Sequence, residues 1–509
     1  MKKLLLLCAA IVLPLLGGAR PKPNIVVFMV DDMGWMDTSL PFAGQAMFGN
    51  KRYHTPNMER LAREGMMFTN AYATPVCTPS RVSLMTGMNA AHHRVTNWTS
   101  IQRDKPSDAA DSLLAPADWN YNGLSPVKGI PHTVYATPLP ALLQDAGYYT
   151  IHVGKAHLGA AGTPGASPLN LGFMVNIAGN AAGHPQSFRG QDNYGNLPGK
   201  TSLHAVQNLS QYYGTDTFLT EALTLEALQT LAAPVKRARP FFLHLAHYAL
   251  HDPIQADPRF LQKYLAAGLD AQEAKYASMI EGMDKSLGDV MDYLQKNKLD
   301  KNTVILFMSD NGGLSVGAPR GGQPHTHNLP LRSGKGSLYE GGIREPMLVK
   351  WPGVVTPGTV ARQYLIIEDF FPTILEIAGL KKYQVSQLVD GKSFVPLLRN
   401  PETKTPSRYL VWHYPNKWRP QPGPGIDYRS AIRQGDWKLI YNMRTGEREL
   451  YNLRSDIGET KNLVRENPLQ AAVLAKELGR QLRQWQAPMP VFKATGRQAP
   501  MPDEGAGLP

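Results

Sequence analysis

Three apolar runs that break abruptly into charged side chains restrict the folds open to this chain. Residues 23–30 read Pro-Asn-Ile-Val-Val-Phe-Met-Val and stop at Asp31-Asp32-Met33-Gly34. Residues 303–309 read Thr-Val-Ile-Leu-Phe-Met-Ser and stop at Asp310-Asn311-Gly312. Residues 240–248 form the third run and lead into Ala249-Leu250-His251-Asp252-Pro253. None of the runs alternates polar with apolar residues, so each predicts a strand buried on both faces. Such strands occur in α/β sheets covered by helices, where ligands gather beyond the carboxyl ends of the strands. Adjacent carboxylates in that place are costly unless a cation neutralises them. Two strand ends carrying acidic and amide oxygens therefore predict a hard-cation site suited to calcium.

The stretch Pro75-Val76-Cys77-Thr78-Pro79-Ser80-Arg81 continues to Leu84-Met85-Thr86-Gly87. Thr78 suits a helix N-cap, Pro79 the first helical position and Gly87 a stop. The cysteine is then expected at the positive end of a helix dipole, with Arg81 reaching back from one turn further in. That is an anion site with a reactive sulfur at its mouth. The string Cys-x-Pro-x-Arg followed by Leu-x-Thr-Gly resembles the signature of the sulfatases, whose cysteine is oxidised to formylglycine after translation. Gly154-Lys155-Ala156-His157-Leu158-Gly159, the His-x-Pro that begins at His251, and the string running from Arg332 through Lys335 to Pro346 resemble further sulfatase segments. The likeness spans nearly the whole mature chain.

The resemblance implies an alkaline-phosphatase-like α/β fold. Its parts are a mixed sheet sandwiched by helices and a smaller C-terminal α+β subdomain of antiparallel sheet plus helix. It implies one calcium ion held by Asp31, Asp32, Cys77 (as formylglycine), Asp310 and Asn311, and catalytic roles for Cys77, Arg81, Lys155, His157, His251 and Lys335. In that scheme the hydrated aldehyde at Cys77 offers a hydroxyl nucleophile, which Asp310 helps to deprotonate. Lys155, Lys335 and Arg81 stabilise charge on the sulfuryl oxygens. His251 with Lys335 helps the leaving alcohol depart, and His157 takes the second hydroxyl proton so that sulfate is expelled. The implied partners are a sulfated carbohydrate and a maturing enzyme that acts on Cys77. Sulfated galactose or N-acetylgalactosamine, attacked from the chain end, is the expected substrate.

At 509 residues the chain exceeds one ordinary domain. A leader is expected over 1–19, a catalytic domain over 20–395, a C-terminal subdomain over 396–487 and a loosely held tail over 488–509. Lys2-Lys3 followed by an apolar run too short to span a membrane comfortably reads as a secretory signal. Export, to a bacterial periplasm before the medium, is the resulting expectation, with no membrane anchor. The formal net charge of +12 is dispersed, without basic runs, which fits an acidic substrate better than nucleic acid. Cys8 falls in the leader, so Cys77 has no disulfide partner.

Rival readings make different demands. A phosphatase or phosphodiesterase of the same fold favours Ser or Thr at position 77, and its two-zinc forms carry Asp-His where this chain has Asp310-Asn311. A thiol phosphatase needs Cys-x5-Arg, but Ser83 stands at that position. A non-catalytic glycan-binding relative predicts eroded site residues, and none is eroded. His93, Arg94, Asn328 and Arg332 each adjoin a catalytic string without a family role, so they are expected to shape the sugar pocket. Residues 100–133 read as an irregular insertion, and 162–212, rich in Gly, Asn and Pro, as loops that carry selectivity. His244 and His247, and Met279, Met283, Leu287 and Met291 on a helix over 272–295, read as packing.

Overall fold

The computed structural model describes residues 21–314, 328–404, 407–418 and 424–504. The expected leader lies outside these residues. Nine strands make one sheet: β1 (Asn24–Val30), β2 (Met66–Tyr72), β3 (Tyr149–Gly154), β4 (Val175–Ile177), β5 (Phe241–Ala246), β6 (Thr303–Ser309), β7 (Arg344–Lys350), β8 (Thr359–Ala361) and β9 (Leu365–Ile366). Their spatial order is β8-β2-β7-β6-β1-β5-β3-β4, and β9 also pairs with β2. Only β7 runs antiparallel to its neighbours, so the sheet is mixed as expected.

Among the helices that cover the sheet are α1 (Pro56–Glu64), α2 (Cys77–Thr86), α3 (Ala271–Lys296) and α4 (Phe370–Ile377). Ile25, Val27 and Met29 of β1 pack on one side with Val82 and Leu84 of α2 and Phe370 and Ile374 of α4. Val26, Phe28 and Val30 pack on the other side with Leu61 of α1 and Met279, Met283, Leu287 and Met291 of α3. Both faces of β1 are thus core, which is why its sequence shows no alternation.

Register brings the chemistry to one edge. Met29 pairs with both Ala246 and Met308, and Ala246 pairs with Gly154. Asp31-Asp32, Asp310-Asn311 and Lys155 therefore emerge side by side at the carboxyl ends of β1, β6 and β3. Gly154 is required there: its φ is +101° and a Cβ would lie 1.9 Å from the Ala246 carbonyl oxygen. That close approach lets the Lys155 N–H donate to the same oxygen at 2.7 Å.

A second sheet, antiparallel throughout, comprises β10 (Tyr409–Tyr414), β11 (Arg429–Gln434), β12 (Trp437–Asn442) and β13 (Arg448–Asn452) in that order. The closing helix α5 (Pro468–Gln484) packs Leu474, Leu478 and Leu482 against it. The stretch after Pro488, expected to be loose, is docked as far as Glu504. Val491–Phe492 pairs with Leu114–Ala115, Met489 and Ala499 enter the core under α5, and Asp503 pairs with Arg483. The apolar residues spaced along this tail were the missed signal.

Buried imidazoles set an acid limit on stability. Burial pushes His93, His152 and His247 down to about 3 and His413 down to about 4. The folded state then binds fewer protons than the unfolded chain, so this stability is full above about pH 6.5 and is lost as pH falls toward 3. Burial acts oppositely on carboxyls, raising Glu368 to about 8 and Asp284 and Glu459 to about 7. Their contribution is full at acid pH and is lost as pH rises through 7 to 8. The two sets offset one another down to about pH 4.5, where each of the three lowest imidazoles has cost roughly 3 kcal/mol, and below that only the imidazoles act. Melting temperature should vary little from pH 6.5 to 5 and fall steeply below 4.5. Thermal melts across that range test it, and an undiminished value at pH 3.5 contradicts it.

Candidate active site

Helix α2 starts at Cys77, two residues earlier than expected. Val76 is the extended N-cap, and Thr78 lies in the first turn, where its hydroxyl accepts the Thr99 N–H at 3.0 Å. Gly87 ends the helix at φ +70°, donating to the Ser83 carbonyl. Cys77 is 3% exposed, and its Sγ lies 3.4 Å from His157 Nδ1. His157 Nε2 lies 2.8 Å from the Thr99 carbonyl oxygen. A carbonyl can only accept, so Nε2 carries the proton and Nδ1 turns a lone pair toward Cys77.

Arg81 is fully buried and ties three segments together. Its Nε donates to Asp310 Oδ2 at 2.8 Å, and its Nη1 donates to the Lys155 carbonyl at 2.7 Å. Lys155 Nζ is 2.6 Å from Asp31 Oδ2, and Lys335 Nζ is 2.6 Å from Asp32 Oδ1. His251 Nε2 is 3.8 Å from Asp32 Oδ2. Three cations thus face Asp31, Asp32 and Asp310, and the cluster is formally neutral.

Burial, with Asp310 beside it, raises Asp31 well above the usual carboxylate range. Burial opposes the charge of Asp32 too, but Lys335, then His251 and Lys155, hold its carboxyl below that range. His157 and His251 are both held well below the usual imidazole range, by burial first and then by Lys155 and Lys335 respectively. Both rings are therefore neutral at ordinary pH.

The donor set fits a hard cation. Ligand oxygens of Asp31, Asp32 and Asp310 lie within 4.8 Å of one another. Asp31 Oδ1, Asp32 Oδ2 and Asn311 Oδ1 are buried without a hydrogen-bond partner, while Asn311 Nδ2 donates to Asp32 Oδ1 at 2.8 Å. A buried oxygen left unpaired costs about 1–3 kcal/mol, so three on adjacent strand ends call for a shared partner.

A cleft of about 470 Å³ opens above this cluster. Cys77, His157, His251 and Lys335 border it, and Trp98, Lys105, His184, His204 and Trp418 wall it. His184 stacks on His204 at 3.9 Å and on His251 at 5.7 Å, so three near-parallel imidazoles form one wall.

The four expected pocket residues are elsewhere. His93 is buried against Ser83 Oγ and accepts the Val95 N–H. Arg94 caps a short helix and pairs with Asp118. Asn328 bridges the backbone of Gly313 and Ser333. Arg332 donates to the Glu459 carbonyl and lies over the Tyr339 ring. Each holds its own loop in shape, and none is among the described residues lining the cleft. Lys105, His184 and His204 come from the segments read as irregular insertion and selectivity loops, whereas Trp98 and Trp418 lie outside both.

The Sulfatase family profile matches residues 23–380, and a profile for the C-terminal part of N-sulphoglucosamine sulphohydrolase matches residues 334–488. The chain belongs to the sulfatase family. It is accordingly a sulfuric ester hydrolase. It is similar to a protein named Sulfatase from Formosa agariphila, 31% identical over 96% of this chain and 94% of that one. It is also similar to N-acetylgalactosamine-6-sulfatase from Mus musculus, 33% identical over 78% of this chain and 70% of the relative. Among solved structures, Ps i-CgsB superposes with a TM-score of 0.71 at 28% identity, covering 91% of this chain and 93% of that one.

Proposed function

We propose that this sulfatase is formylglycine-dependent and removes sulfate from the ends of glycan chains, with sulfated N-acetylgalactosamine or galactose as its sugar. One observation carries the reading: Cys77 starts a helix on the floor of a cleft, 3.4 Å from a neutral His157 and beside the Lys335 and His251 side chains. The named activity of the mouse relative supports the sugar, as does a structure of Ps i-CgsB in complex with k-i-k-neocarrahexaose. A calcium-like ion held by Asp31, Asp32, Asp310 and Asn311, with converted Cys77 beside them, would polarise the sulfuryl oxygens.

Cys77, oxidised to the aldehyde and hydrated, supplies the attacking hydroxyl. Lys155, Lys335 and Arg81 oppose the charge on the sulfuryl oxygens from fixed, buried positions. His251 donates its Nδ1–H to the Asp252 carbonyl at 3.1 Å, which leaves Nε2 to serve the leaving oxygen. An anionic ester in the cleft favours the protonated form of that ring, so substrate and proton donor arrive together. His157 Nδ1 takes the proton of the second hydroxyl, and sulfate is expelled. The six buried side-chain charges sum to zero, so a divalent ion held by these residues would leave the site with a net +2 toward an anion.

Export through the expected leader, which lies outside the described residues, and a maturing enzyme acting on Cys77 belong to this proposal. Among the described residues no helix is long and apolar enough to cross a membrane.

The test is a panel of position-defined sulfated sugars beside a small aryl sulfate, run with matured protein and with Trp98→Ala and Lys105→Ala. Sulfate release from one galactose or N-acetylgalactosamine sulfate is expected. Each variant should lose about tenfold or more in kcat/KM on that sugar and little on the aryl sulfate, because wall residues bind the sugar and not the reacting group. Turnover confined to phosphate esters would overturn the assignment.

A further inference from the structure

A second cavity, of about 490 Å³, opens where β2 and β7 of the large sheet meet β11 and β13 of the C-terminal sheet. It shares no lining residue with the catalytic cleft. Four arginines line it, Arg344, Arg362, Arg433 and Arg454, and Asp436 is the one carboxylate among the described lining residues.

Two of these guanidiniums are built into the wall. Arg344 and Arg433 are each 5% exposed. Arg344 donates to the Thr69 carbonyl at 2.8 Å, to Asn70 Oδ1 at 2.7 Å and to Glu340 at 3.2 Å. Arg433 donates to the Gly435 carbonyl at 2.9 Å and to the Tyr72 hydroxyl, and lies over the Tyr364 ring at 4.8 Å. Arg362 and Arg454 stand exposed at the rim, and neither side chain has a hydrogen bond or ion pair among the described residues.

The charges beneath the cavity do not balance. Buried Lys438 pairs with Glu340 at 2.8 Å and with Glu459 at 2.9 Å. Among the buried groups Arg344, Arg433 and Lys438 thus share two carboxylates. At the rim Arg362 and Arg454 face only Asp436 among the described lining residues, so positive charge is left over at both levels. Burial raises Glu459 to about 7, which makes the shortfall larger near neutral pH. Charge buried without a counterion is costly, and here the excess lies against a solvent-open cavity rimmed by two further unpaired guanidiniums. Guanidinium forks match tetrahedral oxyanions, so the missing partner is an anion of that shape.

We infer that this cavity is a second oxyanion site, which grips a sulfate ester on a glycan chain at a point other than the ester being hydrolysed. The inference rests on the proposed glycan substrate for the source of the oxyanion, but not for the anion site itself. A polysulfated chain would then be held at two places, with the cleft reading its end and the arginine cavity its charge.

The experiment uses full-length protein carrying Cys77→Ala, so that nothing turns over, with and without Arg362→Ala plus Arg454→Ala. Both arginines are exposed and pack no core, so folding should survive, and circular dichroism checks it. Calorimetric titration with a size-defined, multiply sulfated oligosaccharide should show affinity falling about tenfold in the double variant. With Cys77 intact, the same double substitution should leave aryl sulfate turnover unchanged. Inorganic sulfate is titrated alongside. Equal affinity in both proteins for the oligosaccharide and for inorganic sulfate alike overturns the site. Loss of inorganic sulfate binding with no effect on the oligosaccharide overturns the glycan as its source. Failure of the glycan reading itself would appear separately, as no sulfate released from any sugar of the panel by the intact enzyme.

Discussion

Cys77→Ala should lower turnover of any sulfate ester by roughly 10⁴-fold or more while leaving the fold intact. The side chain begins α2 at the cleft floor and its Sγ meets His157, so alanine removes one atom from a surface that faces the cleft, not from the core. Stability should therefore move by about 1 kcal/mol or less. Cys77→Ser is the sharper comparison. Serine keeps one hydroxyl near the carboxylate cluster but lacks the second, whose proton His157 would take. Sulfate could be transferred to it once and then not released. The expected record is a stoichiometric burst of alcohol followed by a stall, against silence for alanine. Peptide mass spectrometry of fully active enzyme that finds only the thiol at position 77 would sink the formylglycine reading.

The legible parts of the fold were those where burial alone decides the structure. β1, β5 and β6 are entirely buried, and their sequences carry that condition in every residue. β2 was not recognised because Met67, Thr69 and Asn70 are only partly buried, which breaks both periodicities. Strands of two or three residues, Val175–Ile177, Thr359–Ala361 and Leu365–Ile366, exist because a neighbour is there to pair with, and a local sequence cannot announce that.

The structure brings Cys77, Arg81, Lys155, His157, His251 and Lys335 together at one edge of the sheet. Cys77 starts a helix and Lys155 follows a strand end, where backbone direction is fixed, whereas Lys335 lies in a turn that only the resemblance singled out. The sugar-side residues were misjudged for the opposite reason. His93 and Arg94 follow α2 in sequence, yet the chain folds them against Ser83 and Asp118. Trp98, Lys105, His184, His204 and Trp418 reach one cleft from stretches far apart in sequence. Proximity along the chain was taken for proximity in space, and loops are where the two diverge most.

Stripping the proposed divalent cation should abolish catalysis, by roughly 10³-fold or more, and lower the melting temperature by a few degrees. Both effects follow from the same charges. Asp31, Asp32 and Asp310 are balanced by Arg81, Lys155 and Lys335, so the protein should fold without the proposed ion but offer an anionic ester no net attraction. The unpaired oxygens of Asp31, Asp32 and Asn311 lose only the partner that the ion supplies, which is why the stability cost is modest. Calcium should restore both activity and melting temperature after chelation. Asp310→Asn separates the ion from the arginine, because the amide oxygen can still accept from Arg81 while the charge is gone. That variant should keep its cold fold, need far more calcium for activity and show a smaller calcium-dependent rise in melting temperature. Elemental analysis decides the class of centre: one calcium per active chain is expected, whereas two zinc ions per chain would return the protein to the phosphodiesterase reading.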